Sequence, residues 1–140
     1  KMKRLYRLIN VIVLLPLLMG MSNLGGESPA RIPVPEKKFK AAFIDQTDTY
    51  TDVSEASIDG HAFLAGKKGE GNYTVAFENI HYIDYLMKND ILIAQIHMRD
   101  GAVLSLAVKK NSHAFGKTSY GTFQIRLADL KRMTILGPQK

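Results

Sequence analysis

The hydrophobic pattern beyond residue 37 is one of alternation rather than of helical stripes. Tyr73-Val75-Phe77 and Phe123-Ile125-Leu127 place an apolar side chain at every second position, the period of a strand with one buried face. After each run the spacing changes to three, as Phe77, Ile80, Ile83 and as Leu127, Leu130, Met133. That spacing predicts a single 3₁₀ or α turn, with Asn79 or Asp129 placed to bond local backbone amides. A short strand, Ile83–Met87 or Met133–Leu136, follows. Further strands are predicted over Phe39–Ile44, Tyr50–Ile58, Ile91–Met98 and Val103–Val108. Asp59-Gly60, Lys88-Asn89-Asp90 and Arg99-Asp100-Gly101 supply the turns between them. Leu104, Leu106 and Val108 form one buried face, whereas Ile91–Met98 is apolar on both faces, as a central strand would be. No segment after residue 37 holds helical periodicity over eleven residues. The expected fold is all-β: a small sandwich or partly open barrel of about eight short strands.

The same pattern occurs twice. Residues 66–86 and 116–136 align without a gap at an offset of 50. Gly66, Gly71, Tyr73, Val75, Phe77, Asn79, Ile80, Ile83, Tyr85 and Leu86 fall on Gly116, Gly121, Phe123, Ile125, Leu127, Asp129, Leu130, Met133, Ile135 and Leu136. Ten similar residues in one register argue for two pseudo-repeats of about fifty residues. Two units are too few for a solenoid, which needs about three. The glycines suit a turn or a close backbone approach.

The first thirty residues follow another rule. Lys1, Lys3, Arg4 and Arg7 precede an apolar run, Leu8 to Met21, and no further charge appears before Glu27. A basic start, a short apolar run and a polar stretch of small residues describe a secretory signal peptide. The run is shorter than the about 20 residues of a membrane span, and Pro16 interrupts it. Cleavage is expected after Ala30 or near Gly20 to Ser22, and the rival reading keeps residues 8–26 as a membrane anchor. The predicted organisation is therefore 1–30 signal peptide or N-terminal anchor, 31–37 extended linker, and 38–137 a single all-β domain. The proteins this pattern suggests are exported, periplasmic or on the cell surface of a bacterium.

Composition narrows the chemistry. The chain has no cysteine, which removes disulfides, thiolate metal sites and cysteine nucleophiles. The net charge of +6 shrinks on dissection. Four of 19 basic and one of 13 acidic residues precede Arg31, leaving 15 against 12, or +3, for the remainder. No basic stripe interleaved with aromatics is present, so nucleic acid is not an expected partner.

His61, His81, His97 and His113 include no pair at chelating spacing, although His61-Ala62-Phe63 and His113-Ala114-Phe115 are similar loops that could build a two-histidine metal site. Asp45, Asp48, Asp52, Glu55 and Asp59 read as a solvated hairpin or, less readily, a calcium loop without the standard motif. No G-x-S-x-G elbow is present. The loops Gly66–Gly71 and Gly116–Gly121 resemble phosphate cradles in spacing only, since a strand follows each where a P-loop needs a helix. No catalytic, cofactor-binding or metal residue is assigned. The candidate interaction surface is Tyr73, Tyr82, Tyr85 and Tyr120 with Lys67 and Lys117, joined by Tyr50, because amphipathic aromatics favour interfaces. The expected function is a binding or assembly module of the cell envelope. Its partner would be another protein or a second copy, with the extended segment Ile32–Phe43 free to pair with a neighbouring sheet edge. The alternatives are an anchored accessory subunit of an envelope complex and a metal-dependent enzyme with dispersed ligands.

Overall fold

A computed structural model describes residues Lys37–Gln139. The signal or anchor segment and most of the linker lie outside them. The described chain is all-β: β1 (Phe39–Asp45), β2 (Tyr50–Ile58), β3 (Phe63–Lys68), β4 (Gly71–Ala76), β5 (Ile80–Lys88), β6 (Ile91–Met98), β7 (Val103–Val108), β8 (His113–Thr118), β9 (Gly121–Arg126) and β10 (Leu130–Pro138). Three-residue 3₁₀ turns, Phe77–Asn79 and Leu127–Asp129, lead into β5 and β10.

All ten strands join one antiparallel sheet in the order β4-β3-β7-β6-β5-β10-β1-β2-β8-β9, curled into a half-barrel. Ten strands in one curled sheet replace the eight expected in a sandwich or barrel. The two additional strands are β3 and β8, at the segments read as glycine and histidine loops. Their sequences, FLAGKK and HAFGKT, hide the alternation because a glycine stands where the buried face needs no side chain. A Cβ on Gly66 would lie 2.8 Å from the Leu106 Cβ, and one on Gly116 would lie 2.5 Å from the Val53 Cβ. Both are closer than packed atoms allow, so the β3–β7 and β2–β8 seams close only over a hydrogen.

The turns follow from their residues. Gly69 takes φ +60 at the first position of the two-residue β3–β4 connection, which matches the twist of a hairpin. Asn89 and Asp90 both take positive φ in the β5–β6 turn, the conformation asparagine and aspartate tolerate best.

The strand order reads the same from either end. β3, β4, the first 3₁₀ turn and β5 each begin fifty residues before β8, β9, the second 3₁₀ turn and β10. β6 and β7 occupy the places that β1 and β2 take on the other side. In the middle, β5 and β10 pair with Ile83 opposite Met133, flanked by Asp84 opposite Arg132 and Tyr82 opposite Thr134. Long-range hydrogen bonds obey the same order. The Phe77 amide donates to Ala62 O and the Leu127 amide to Ser112 O, while Arg99 N donates to Asn79 O and Gln46 N to Asp129 O. The 3₁₀ turns are thus held by distant main chain. Asp129 was expected to bond nearby amides, but its carboxylate accepts from Arg126 Nε and Nη2 instead.

One hydrophobic core fills the concave side. Phe77, Ile80, Ile83, Leu127, Leu130 and Met133, the residues spaced by three, are all fully buried, and Phe39 meets Phe77 edge to face at 5.8 Å. β6 buries only Leu92, Ala94 and Ile96; Ile91 is exposed and Ile93 half-buried. The expectation of two buried faces fails because, among the described residues, no element covers the convex side there. Residues 39–43 are also not free to reach a neighbour, since β1 lies between β10 and β2.

Candidate functional site

The acidic stretch 45–59 resolves into five carboxylates that the chain itself engages. Asp45 Oδ1 accepts from the Thr47 hydroxyl, the Thr47 amide and the Thr49 amide, and the Thr47 hydroxyl foremost, then the Thr49 amide, hold its carboxyl below the usual range. Lys131 donates to Asp48, and the Tyr50 hydroxyl to Asp52. Glu55 lies between Lys117 at 2.9 Å and Lys38 at 3.4 Å. The His113 amide donates to Asp59. Among the described residues no group of three or more His, Asp or Glu is placed to hold a metal ion. His61 stacks on Phe63 at 4.6 Å, whereas His113 is part of β8 and tilts against Phe115 at 6.1 Å.

The residues proposed as an interaction surface separate into six places, Tyr50 standing apart at the start of β2 on Asp52. Tyr85 leaves the set: it is 5% exposed and sits in the core. Past the bulge between Ile80 and Tyr82, β5 turns Tyr82, Asp84 and Leu86 outward, so Tyr85 points inward like Ile83. Burial pushes its phenol up, and its hydroxyl finds no hydrogen-bond partner among the described residues. Tyr120 is fully exposed at the β8–β9 turn. Lys117 lines a shallow depression with Lys40, Asp52 and Leu136 and is occupied by Glu55.

Tyr82 belongs to a cluster on the convex face, at the β5–β10 seam. Its ring stacks on His97 at 4.2 Å and carries the Arg132 guanidinium 4.3 Å above its centroid. Arg132 clasps Asp84 through Nε at 2.6 Å and Nη2 at 3.0 Å, and that contact foremost raises its pKa further. The bidentate grip commits the carboxylate to structure.

Lys67 and Tyr73 are the two that border one groove. They line a groove of about 420 Å³ at the edge of the sheet, within the size range of small-ligand sites. Its apolar surface comes from Ile58, Phe63, Leu64, Ala65 and Ala107, and its polar rim adds Asp59, His61, Asn72, Lys109 and Ser112. Strand β4 forms one wall, and Tyr73 on it is 44% exposed. The groove joins the end of β2 to β3 and β7, and sequence reasoning missed Lys109, Ala107 and Ser112 because nothing local ties them to residue 67.

The corresponding place on the other side is the shallow depression beside Lys117, where the lysine is paired. Phe123, fifty residues after Tyr73, stacks on Phe43 at 5.5 Å. Lys117, fifty after Lys67, is neutralised by Glu55. Ala107 pairs with Lys67 as Ser54 pairs with Lys117; after Ser54 the strand bulges and presents Glu55 at φ +51, whereas after Ala107 comes Val108, which is buried. Lys67 and Lys109 form no ion pair among the described residues.

Both outer strands are unpaired on one side among the described residues. β4 reads GNYTVA, without charge or proline, and meets β3 through six consecutive pairs without a register shift. β9 ends in Arg126.

No curated protein and no solved structure matches this chain. Residues 35–137 match the model of a family described as "Uncharacterised protein", and the chain belongs to that family.

Proposed function

We propose that the chain is a small exported bacterial β-domain that works as a binding or assembly module in the cell envelope, built from a duplicated unit of about fifty residues. The single observation that carries the assembly reading is β4. A regular edge strand with no charge, proline or bulge presents an open row of amides and carbonyls, and proteins that avoid pairing blunt such edges. The signal-like pattern of residues 1–30 supports export. Protein is the proposed partner, beginning with a second copy through β4.

The test is sedimentation of the full chain over a concentration series. The two-residue turn makes Lys68 and Gly71 a hydrogen-bonded pair, so by alternation the Thr74 amide points away from β3. Thr74→Pro removes that outward donor and is expected to give a monomer where the parent associates. A parent monomeric up to its solubility limit overturns self-assembly. Intact mass of the chain from its native envelope checks export: a start near residues 20–31 is expected, and a chain retaining Lys1 overturns processing.

A further inference from the structure

We infer that the groove beside β4 is a binding site for a small amphipathic anion, a monocarboxylate with an apolar tail. The groove is about 420 Å³ and has an apolar floor of Ile58, Phe63, Leu64, Ala65 and Ala107. Its charged and titratable side chains are Asp59, His61, Lys67, Lys109 and Tyr73. Asp59 already accepts the His113 amide, and His61 lies flat on Phe63. The two lysines have no ion-pair partner among the described residues.

The other half of the sheet shows what the same backbone does when no ligand is wanted. There a carboxylate stands 2.9 Å from the equivalent lysine, and a phenylalanine stacks inward where Tyr73 stays exposed. Glu55 reaches Lys117 from a bulge in β2, while the residue after Ala107 on β7 is the buried Val108, so no acid follows the pair that Lys67 makes. The result is cationic rim over apolar floor, which recognises a carboxylate by charge and its tail by burial. A neutral tail would forgo the first contribution, and acetate the second.

β4 forms one wall of this site, but its lysines come from β3 and the segment after β7, so charge recognition does not require a second chain paired on β4. The test titrates decanoate, n-decanol and acetate into the isotopically labelled full chain and follows backbone amides by NMR. Decanoate is expected to give saturable shifts centred on Phe63–Lys67, Asn72–Thr74 and 107–112, with n-decanol and acetate each weaker by at least about tenfold. The double variant Lys67→Gln/Lys109→Gln should weaken decanoate by about tenfold, the scale of two exposed ion pairs, and Lys88→Gln should leave it unchanged. Absence of saturable shifts in the groove, equal binding of n-decanol, or parent-like affinity in the double variant overturns the inference. A monomeric parent that binds decanoate refutes edge assembly alone.

Discussion

At the residue scale, the hydroxyls of Ser57 and Tyr85 are buried without a hydrogen-bond partner among the described residues, and an unsatisfied buried polar group costs about 1–3 kcal/mol. Tyr85→Phe keeps the ring and removes the orphan, so it should stabilise the protein by about 1 kcal/mol, a rise of roughly 4–8 °C in the unfolding midpoint. Calorimetry showing a lower midpoint would mean that the hydroxyl has a role in the folded state. Tyr85 also shows why alternation alone misassigns a surface. In β5 the aromatic positions 82 and 85 lie on opposite faces, and only parity relative to Ile83 separates them. Tyr73 was legible because its strand alternates cleanly; Lys109 was not, since its neighbours in the groove are about forty residues away in sequence.

At the element scale, the seams matter most. Gly116 faces the Val53 Cβ itself, so Gly116→Ala is expected to cost about 2–4 kcal/mol by overpacking. Val53→Ala would not relieve the clash, whereas Val53→Gly in the same chain should recover part of the loss by double-mutant cycle in urea. On the solvent side of that seam, Lys117 and Lys38 hold Glu55 below its ordinary carboxylate range, Lys117 foremost. A depressed folded pKa contributes stability above the unfolded value near 4.5 and loses it as the pH falls through the lower folded value. Lys117→Gln should therefore cost up to about 1 kcal/mol at about pH 7, with the difference from the parent vanishing in strong acid. Urea midpoints for both proteins across that range check the sign. The glycines of these seams were visible as a matched pair in the sequence, yet the strands around them were not. β3 and β8 spend their middle positions on glycine and lysine, which weakens the period-two signal the remaining strands display.

At the scale of the whole molecule, the ten strands divide evenly about the β5–β10 pair. The gap-free offset of fifty covers β3 to β5 against β8 to β10. It does not reach β6 and β7, whose counterparts β1 and β2 come first in the chain instead of last. Ser54 and Ala107, which pair with the two lysines, could therefore not be compared by sliding the sequence along itself, and the acid after the one and the valine after the other lay in that hidden comparison. Met133 against Ile83, both fully buried, joins the halves; Ile83→Ala should cost about 2–5 kcal/mol in a single cooperative transition monitored by circular dichroism and by urea.

The pairing of Phe39 with Pro138 carries a consequence for how the chain is strung. β10 and β1 meet where β5 and β6 meet on the other side, and there a two-residue turn, Asn89-Asp90, suffices. The backbone route is therefore nearly a closed loop with a choice of opening. A circular permutant that links Gln139 to Lys38 by a short glycine-containing turn and opens between Asn89 and Asp90 should fold to the same sheet, with both outer strands and the groove in place. Folding would then owe nothing to which hairpin is made first.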